Sequence, residues 1–218
     1  SYAGRLDPMA EGVLLVLVGY ENKKIKKYMK LNKEYRTKII FGLSSDTHDI
    51  LGIAKKGKTN LNKINLKELK NKIRNFEGQY NQKIPEYSSY KIKGKPMFYY
   101  ARKNQKIEEI RKNVIIKKIK VNSIYKINSD KLLNNILNKI DKVNGDFRQE
   151  EIKNNWLNIL NKKEKFLVAD LTISCSSGTY IRAIANDIDK DHGGVLLSLK
   201  RTKVGKFDIK DSLKIRNT

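Results

Sequence analysis

The sequence is poor in the residues that build disulfides, metal sites and membrane spans. Its 218 residues include one cysteine, Cys175, which excludes an intramolecular disulfide and fits a reducing compartment, so a cytoplasmic location is expected. Cys175 stands in an apolar stretch and reads as a buried structural thiol. The two histidines, His48 and His192, stand alone with no Cys or His at ligand spacing, so no metal site is expected. There is no P-loop and no GxGxxG, so nothing asks for a nucleotide cofactor. No apolar run approaches the roughly 18 residues that would span a bilayer. The run Gly12 to Gly19 is too short and reads as a buried strand. The chain also lacks an initiator Met and opens inside a motif, so a native N-terminal segment is expected to precede it.

What the chain has in excess is positive charge. Lys and Arg number 47 against 23 acidic residues, a net charge of +24. Such an excess favours a polyanion, RNA or DNA being the obvious one. Lys, Asn and Ile abound together, as in an AT-rich coding sequence, so compositional drift on a solvated face is the competing reading. Apolar residues at 39% and charged residues at 32% suit a soluble globular chain. The length suits a single domain over 1–218 with a sizeable core.

Periodicity gives the elements. Strand character is read at Glu34 to Gly42, Val114 to Ile127 (one or two strands), Phe166 to Ser174, Val195 to Leu199 and Thr202 to Ile209. Helical stripes run through Glu21 to Leu31, Leu66 to Phe76, Pro96 to Arg102 and Thr179 to Ile188. Between Asp130 and Asn161 two helical faces appear. One carries Leu132, Leu133, Ile136, Leu137 and Ile140; the other carries Ile152, Trp156, Leu157 and Leu160. Asn144-Gly145-Asp146 marks the bend between them. Strands and helices mix without strict βαβ alternation, so the fold class is α+β.

Five segments carry a further pattern. Gly4-Arg5-Leu6-Asp7-Pro8 taken alone reads as a capped helix start, with Asp7 as N-cap and Pro8 as the first helical residue. Lys33-Glu34-Tyr35-Arg36 enters a strand, where Tyr35 would serve as a core aromatic. Ser177-Gly178-Thr179-Tyr180-Ile181-Arg182 is a turn into a helix, with Arg182 on its surface. Ser45 to Gly52 is a polar loop, and Gln82 to Arg102 is a long irregular run. In this order they resemble the motifs of TruB-type pseudouridine synthases: G-[TR]-L-D-P, K-x-Y-R, a D-T-x-D-x-x-G loop, the Q-x-P-P-x-Y-S-A-x-K run and [KS]-G-T-Y-I-R. Leu199-Lys200-Arg201 is similar to the family's L-R-R. The resemblance covers roughly residues 1–52, 78–103 and 166–210.

The resemblance implies a pseudouridine synthase fold, a mixed, mostly antiparallel sheet with flanking helices and loops. It implies isomerisation of the T-loop uridine of tRNA, numbered 55 by tRNA convention, without metal or organic cofactor. Asp7 would be the catalytic carboxylate beside C1′, acting as nucleophile or in removal of a ribose proton. Arg182 would pair with it, and Tyr35 would stack on the extruded base and handle a proton. Tyr2, Arg5, Asp46, Tyr180, Leu199, Lys200 and Arg201 would be on the substrate-binding side. Tyr2 replaces a His common in the family, and both can stack on a base. Residues 104–165 follow the pattern poorly, so 128–165 is expected to be a helical insertion. The family's C-terminal RNA-binding domain is not expected here, and the chain is expected to be a monomer that binds the tRNA T-arm. A guide-RNA-dependent relative and a non-catalytic RNA-binding protein of the same fold are the alternatives.

Overall fold

The computed structural model describes residues 1–57, 64–190 and 192–215. Among them, seven strands share one sheet: β1 (Ala10–Gly12), β2 (Lys33–Phe41), β3 (Gly78–Lys83), β4 (Arg111–Asn128), β5 (Lys165–Cys175), β6 (Gly194–Val204) and β7 (Phe207–Asp208). Their order is β7–β6–β2–β5–β4–β3, every pair antiparallel, and β1 adds to β6 in parallel. The helices are α1 (Ile25–Met29), α2 (Leu66–Arg74), α3 (Met97–Arg102), α4 (Ser129–Ile140), α5 (Gln149–Ile159) and α6 (Ile181–Ile188). The expected α+β class and mixed, mostly antiparallel sheet are what the chain adopts.

The central strands are apolar on both faces because each face carries its own core. Successive side chains of a strand alternate sides, so Ile39 and Phe41 of β2 enter one cluster and Ile40 the other. β5 divides likewise, with Leu167, Ala169, Leu171 and Ile173 on one side and Phe166 and Val168 on the other. The first cluster is closed by Leu69 and Ile73 of α2 and by Ile181, Ile184 and Ile188 of α6. The second is closed by α4 and α5, through Leu132, Ile136, Ile140, Ile152 and Trp156.

Three expectations need correction. Gly12 to Gly19 is not a buried strand: Gly12 ends β1, Leu15–Val16 pairs with Tyr2–Ala3, and Val16 and Val18 are 64% and 78% exposed. Beyond Gly12 the segment alternates, burying Val13 and Leu17 alone, because it leaves the main sheet with one side open. Val195 to Leu199 and Thr202 to Ile209 are not two strands. β6 runs unbroken through Lys200 and Arg201 with register shifts at Leu196/Ser198 and Arg201/Lys203, and Ile209 begins a 3-10 turn. The polar pair looked like a break, but Lys200 turns to solvent and Arg201 is buried with backbone carbonyls as partners, both in regular register. Leu157 is 45% exposed, so the α5 face is narrower than its apolar pattern. β4 is one strand of 18 residues.

Trp156 ties α5 to the rest of the molecule. It is fully buried, and its indole N–H donates to the Ile50 carbonyl at 3.0 Å. Beside it Asn155 Oδ1 accepts from the Ala54 N–H at 2.7 Å, and its amide donates to the Ala54 carbonyl at 3.2 Å. Trp156→Ala is expected to lower the unfolding free energy by about 3–5 kcal/mol, measured by denaturant titration with far-UV circular dichroism. A loss below about 1 kcal/mol would show that α5 contributes little to the second core.

Candidate active site

Asp7 is not the start of a helix. The Ala10 N–H donates to the Asp7 carbonyl at 2.8 Å and closes a tight turn over Pro8 and Met9, after which the chain enters β1. Proline suits such a turn because its φ is already fixed near the required value. β1 then runs so close to β6 that a Cβ on Gly12, at φ +110°, would stand 2.2 Å from the Arg201 carbonyl oxygen. Only glycine fits there. Arg201 is itself buried, donating Nε to the Val13 carbonyl at 2.7 Å and Nη2 to the Gly4 carbonyl at 2.9 Å. One guanidinium thus fastens both ends of the segment that carries Asp7.

The opposite side is built by Arg182, in the first turn of α6. It is not a surface residue: its side chain is 3% exposed. Nε donates to Asp7 Oδ2 at 2.8 Å and Nη2 to Asp7 Oδ1 at 3.3 Å, a two-pronged pairing that fixes the carboxylate in direction as well as position. The remaining donors reach the Thr47 carbonyl at 2.9 Å and the Tyr87 carbonyl at 3.3 Å. Burial alone would favour the neutral guanidine, but the charges of Asp7 and Asp49 outweigh it and hold Arg182 protonated. The helix start is set by Gln82, whose fully buried side chain accepts from the Tyr180 N–H and donates to the Tyr180 carbonyl, both at 2.8 Å.

A second carboxylate stands beside the first. Asp49 Oδ2 lies 3.6 Å from Arg182 Nε, while Oδ1 accepts from the Thr47 hydroxyl at 2.6 Å and the Leu51 N–H at 2.9 Å. The loop closes tightly at Gly52, where a Cβ would fall 2.3 Å from both Asp46 Oδ1 and Thr47 Oγ1. Burial pushes the Asp49 carboxyl up to about 6, and Arg182 only partly opposes it. The native state therefore holds a proton between about pH 4 and 6 that the unfolded chain has lost. Stability should fall as pH rises through that window, and Asp49→Asn should remove this part of the slope. Thermal melts of parent and variant from pH 4 to 7 test it; parallel curves would refute the raised value.

Arg5, Asp7 and Arg182 face one cleft of about 910 Å³. Its walls include Tyr87, Phe98, Arg102 and the bend between α4 and α5. The other expected residues are distributed around it. Tyr2 is 46% exposed and its hydroxyl accepts from Arg5 Nη2 at 3.2 Å. Asp46 accepts from the Ile53 N–H at 2.8 Å and from Arg148 Nη2 at 3.0 Å. Tyr35, partly buried against the first core cluster, and Tyr180 both feel the charge of Asp7. The Tyr35 hydroxyl is pushed up to about 12 by burial, with Arg201 pulling the other way and Asp7 adding to the rise. The Tyr180 hydroxyl is raised for the same first reason. Leu199 is buried on β6 opposite Ala10, and exposed Lys200 lies 3.4 Å from Glu11. Among the described residues no group of three or more His, Cys, Asp or Glu could hold a metal ion, and no helix is long and apolar enough to cross a membrane.

Sequence reasoning quoted the Asp46–Asp49 loop and Gln82 without giving Asp49 or Gln82 a role. The spacing of two Asp residues before a glycine was the available signal for the first. Nothing in the sequence marked the Tyr87 carbonyl or residues 142–148 as part of the cleft.

Comparison with known proteins agrees with this geometry. The profile of the TruB family pseudouridylate synthase N-terminal domain matches residues 1–139. The chain is 31% identical over its full length to a tRNA pseudouridine synthase B of Endomicrobium trichonymphae, and spans 78% of that protein. It is 31% identical to the protein of that name from Clostridium tetani (strain Massachusetts / E88), with all of this chain aligned, and spans 62% of it. It is 34% identical, over 97% of this chain, to that of Caldanaerobacter subterraneus subsp. tengcongensis, and spans 61% of it. Among solved structures, a chain of a Cbf5–Nop10–Gar1 complex superposes with a TM-score of 0.54 at 16% identity, covering 95% of this chain and 40% of that one. A chain of an H/ACA ribonucleoprotein bound to a substrate RNA containing 2′-deoxyuridine gives 0.51 at 15% identity, covering 95% and 39%. At such identities these two speak for the fold alone, and it is the pseudouridine synthase fold. The carboxylate-bearing turn at Asp7, the buried arginine that grips it and the profile that spans most of the chain make this protein a member of the TruB family of pseudouridylate synthases.

Proposed function

We propose that the chain is a tRNA pseudouridine synthase acting on the T-loop uridine numbered 55 by tRNA convention. The observation that carries the reading is the two-pronged Asp7–Arg182 pair at the wall of an open cleft. A carboxylate aimed by a buried guanidinium, with 30% of its side chain still exposed, can reach a nucleotide placed in the cleft. The reaction breaks N1–C1′ of the uridine, turns the uracil and joins its C5 to C1′; the proton leaving C5 is balanced by one gained at N1. Asp7 serves at C1′. The base must leave its stack first, and the cleft between Tyr87, Phe98 and Arg5 is open enough to receive it.

The scheme uses no metal or organic cofactor. The protein works as a monomer in the cytoplasm, and its substrate surface is the tRNA T-arm. The likeness to tRNA pseudouridine synthase B proteins favours tRNA over other RNAs. Incubation with an unmodified tRNA transcript, followed by carbodiimide treatment and primer extension, should give a single stop at the T-loop uridine. Absence of the stop with intact, RNA-bound protein would overturn the proposal.

Tyr35 is assigned a proton-handling role through its hydroxyl and a stacking role through its ring. Tyr35→Phe should keep most of the RNA affinity and lose most of the rate. Tyr35→Ala should lose both, since stacking on a base is worth roughly 1–3 kcal/mol. Single-turnover rates and filter-binding constants separate the two, and equal rates for Phe and Tyr would leave the hydroxyl without a part.

A further inference from the structure

We propose that the bend joining α4 to α5, residues 141–148, is a second RNA-binding element that offers Lys142 and Arg148 to a phosphate of the strand flanking the reactive uridine. The inference rests on the reading of the Asp7 cleft as the uridine site. It goes beyond that reading because the bend and α5 lie outside the part of the chain that the family profile matches, which ends at residue 139.

The geometry has three parts. First, the bend faces the cleft: Lys142, Asn144 and Arg148 line the same space as Asp7 and Arg182. Second, it is held in place. Its far end is anchored by Trp156 and Asn155 on residues 50 and 54, the loop whose Thr47 carbonyl receives Arg182. Within it the Gln149 side chain accepts from the Phe147 N–H at 2.8 Å and donates to the Val143 carbonyl at 3.4 Å, and Asp146 Oδ1 accepts from the Arg148 N–H at 3.3 Å. Third, Arg148 sits at φ +61° and ψ +34°, a left-handed conformation that a non-glycine residue adopts at a cost. A glycine there would relieve the strain. The arginine aims its guanidinium across the cleft instead, to Asp46 Oδ2 at 3.0 Å and over the Tyr87 ring at 5.3 Å.

The Arg148–Asp46 pair is about one-third exposed on both sides, where an ion pair contributes little and exchanges readily. A phosphate oxygen matches the same planar fork and carries no competing desolvated carboxylate. Asp141, beside Lys142, is paired with Lys153 at 2.6 Å, and Asp146 accepts from the Arg148 N–H, which leaves the Arg148 guanidinium to Asp46. Asp46 therefore acts as a stand-in partner that keeps Arg148 extended until RNA replaces it.

The test uses Arg148→Gly, Lys142→Ala and Asp46→Asn in the full chain, with an unmodified tRNA transcript at several salt concentrations. Arg148→Gly should melt at or above the parent temperature yet bind RNA about 10-fold more weakly, with a salt slope smaller by about 1. Lys142→Ala should behave likewise in binding. In this reading Asp46 holds Arg148 and not RNA, against its expected place on the substrate-binding side, so Asp46→Asn should bind as tightly as the parent or tighter. If Arg148→Gly and Asp46→Asn weaken binding alike with the parental salt slope, the bend is only a brace and the proposal falls. A parent that binds tRNA but forms no pseudouridine would sink the functional reading alone, while the salt slopes still decide the bend.

Discussion

Asp7→Asn should lower pseudouridine formation by on the order of 10⁴-fold or more, while leaving tRNA affinity within a few-fold of the parent. The substitution is nearly isosteric, and the turn that positions residue 7 is closed by its backbone carbonyl, not its side chain. What disappears is the charge and one of the two acceptor atoms that Arg182 grips. Arg182 keeps the Thr47 and Tyr87 carbonyls and the nearby Asp49, so the stability loss should be about 1–3 kcal/mol. Carbodiimide mapping under single-turnover conditions measures the rate, and filter binding the affinity. Residual turnover within tenfold of the parent would mean that Asp7 only braces Arg182 and that the chemistry lies elsewhere.

Arg182→Met should be the most damaging single change in fold and function together. It leaves Asp7 and Asp49 without their shared cation, and removing one member of a buried pair costs about 3–5 kcal/mol. Asp49 is already pushed up to about 6 by burial, and loss of the opposing guanidinium should raise it further. A raised carboxyl is unfavourable only when ionised, so the stability deficit of the variant should be largest near neutral pH and shrink as pH falls below about 6. Arg182→Lys keeps a cation but not the fork that serves Asp7 and two carbonyls at once, and it should lose activity by on the order of 10²-fold with a smaller stability loss. Chemical denaturation at pH 5 and 7.5, with turnover at neutral pH, checks both. Near-parental activity of both variants would break the link between the two motifs.

Much of this was legible in the sequence because the informative residues sit on periodic or punctuated segments. The alternation in β4, the strand character of β2 and β5 and the stripes of α2, α4 and α6 announced their elements. Asp7, Tyr35 and Arg182 were found through motif order. What stayed hidden depends on contacts between distant segments. Arg201 interrupts an apolar strand and looks like surface charge, yet it is buried because two backbone carbonyls of the Asp7 segment need a donor. Arg182 looked like a helix-surface residue by position, and only the arrival of Asp7 and residues 47 and 87 makes it internal. Asn144-Gly145-Asp146 was readable as a bend, but the wall it forms against the cleft was not.

The fastening of the Asp7 segment by Arg201 bears on when the protein becomes competent during its own synthesis. Residue 7 leaves the ribosome well before its partner at 182 and the donor at 201. Until β6 docks, with β1 laid against it, the carboxylate hangs on a segment closed by its own Tyr2–Ala3 and Leu15–Val16 pairing but not fastened to the main sheet. Nascent protein is therefore silent towards RNA chemistry until residue 201 has emerged and β6 has docked, however much of its charge is already exposed. A premature stop anywhere before β6 should yield a basic polypeptide able to cling to nucleic acid and unable to turn it over.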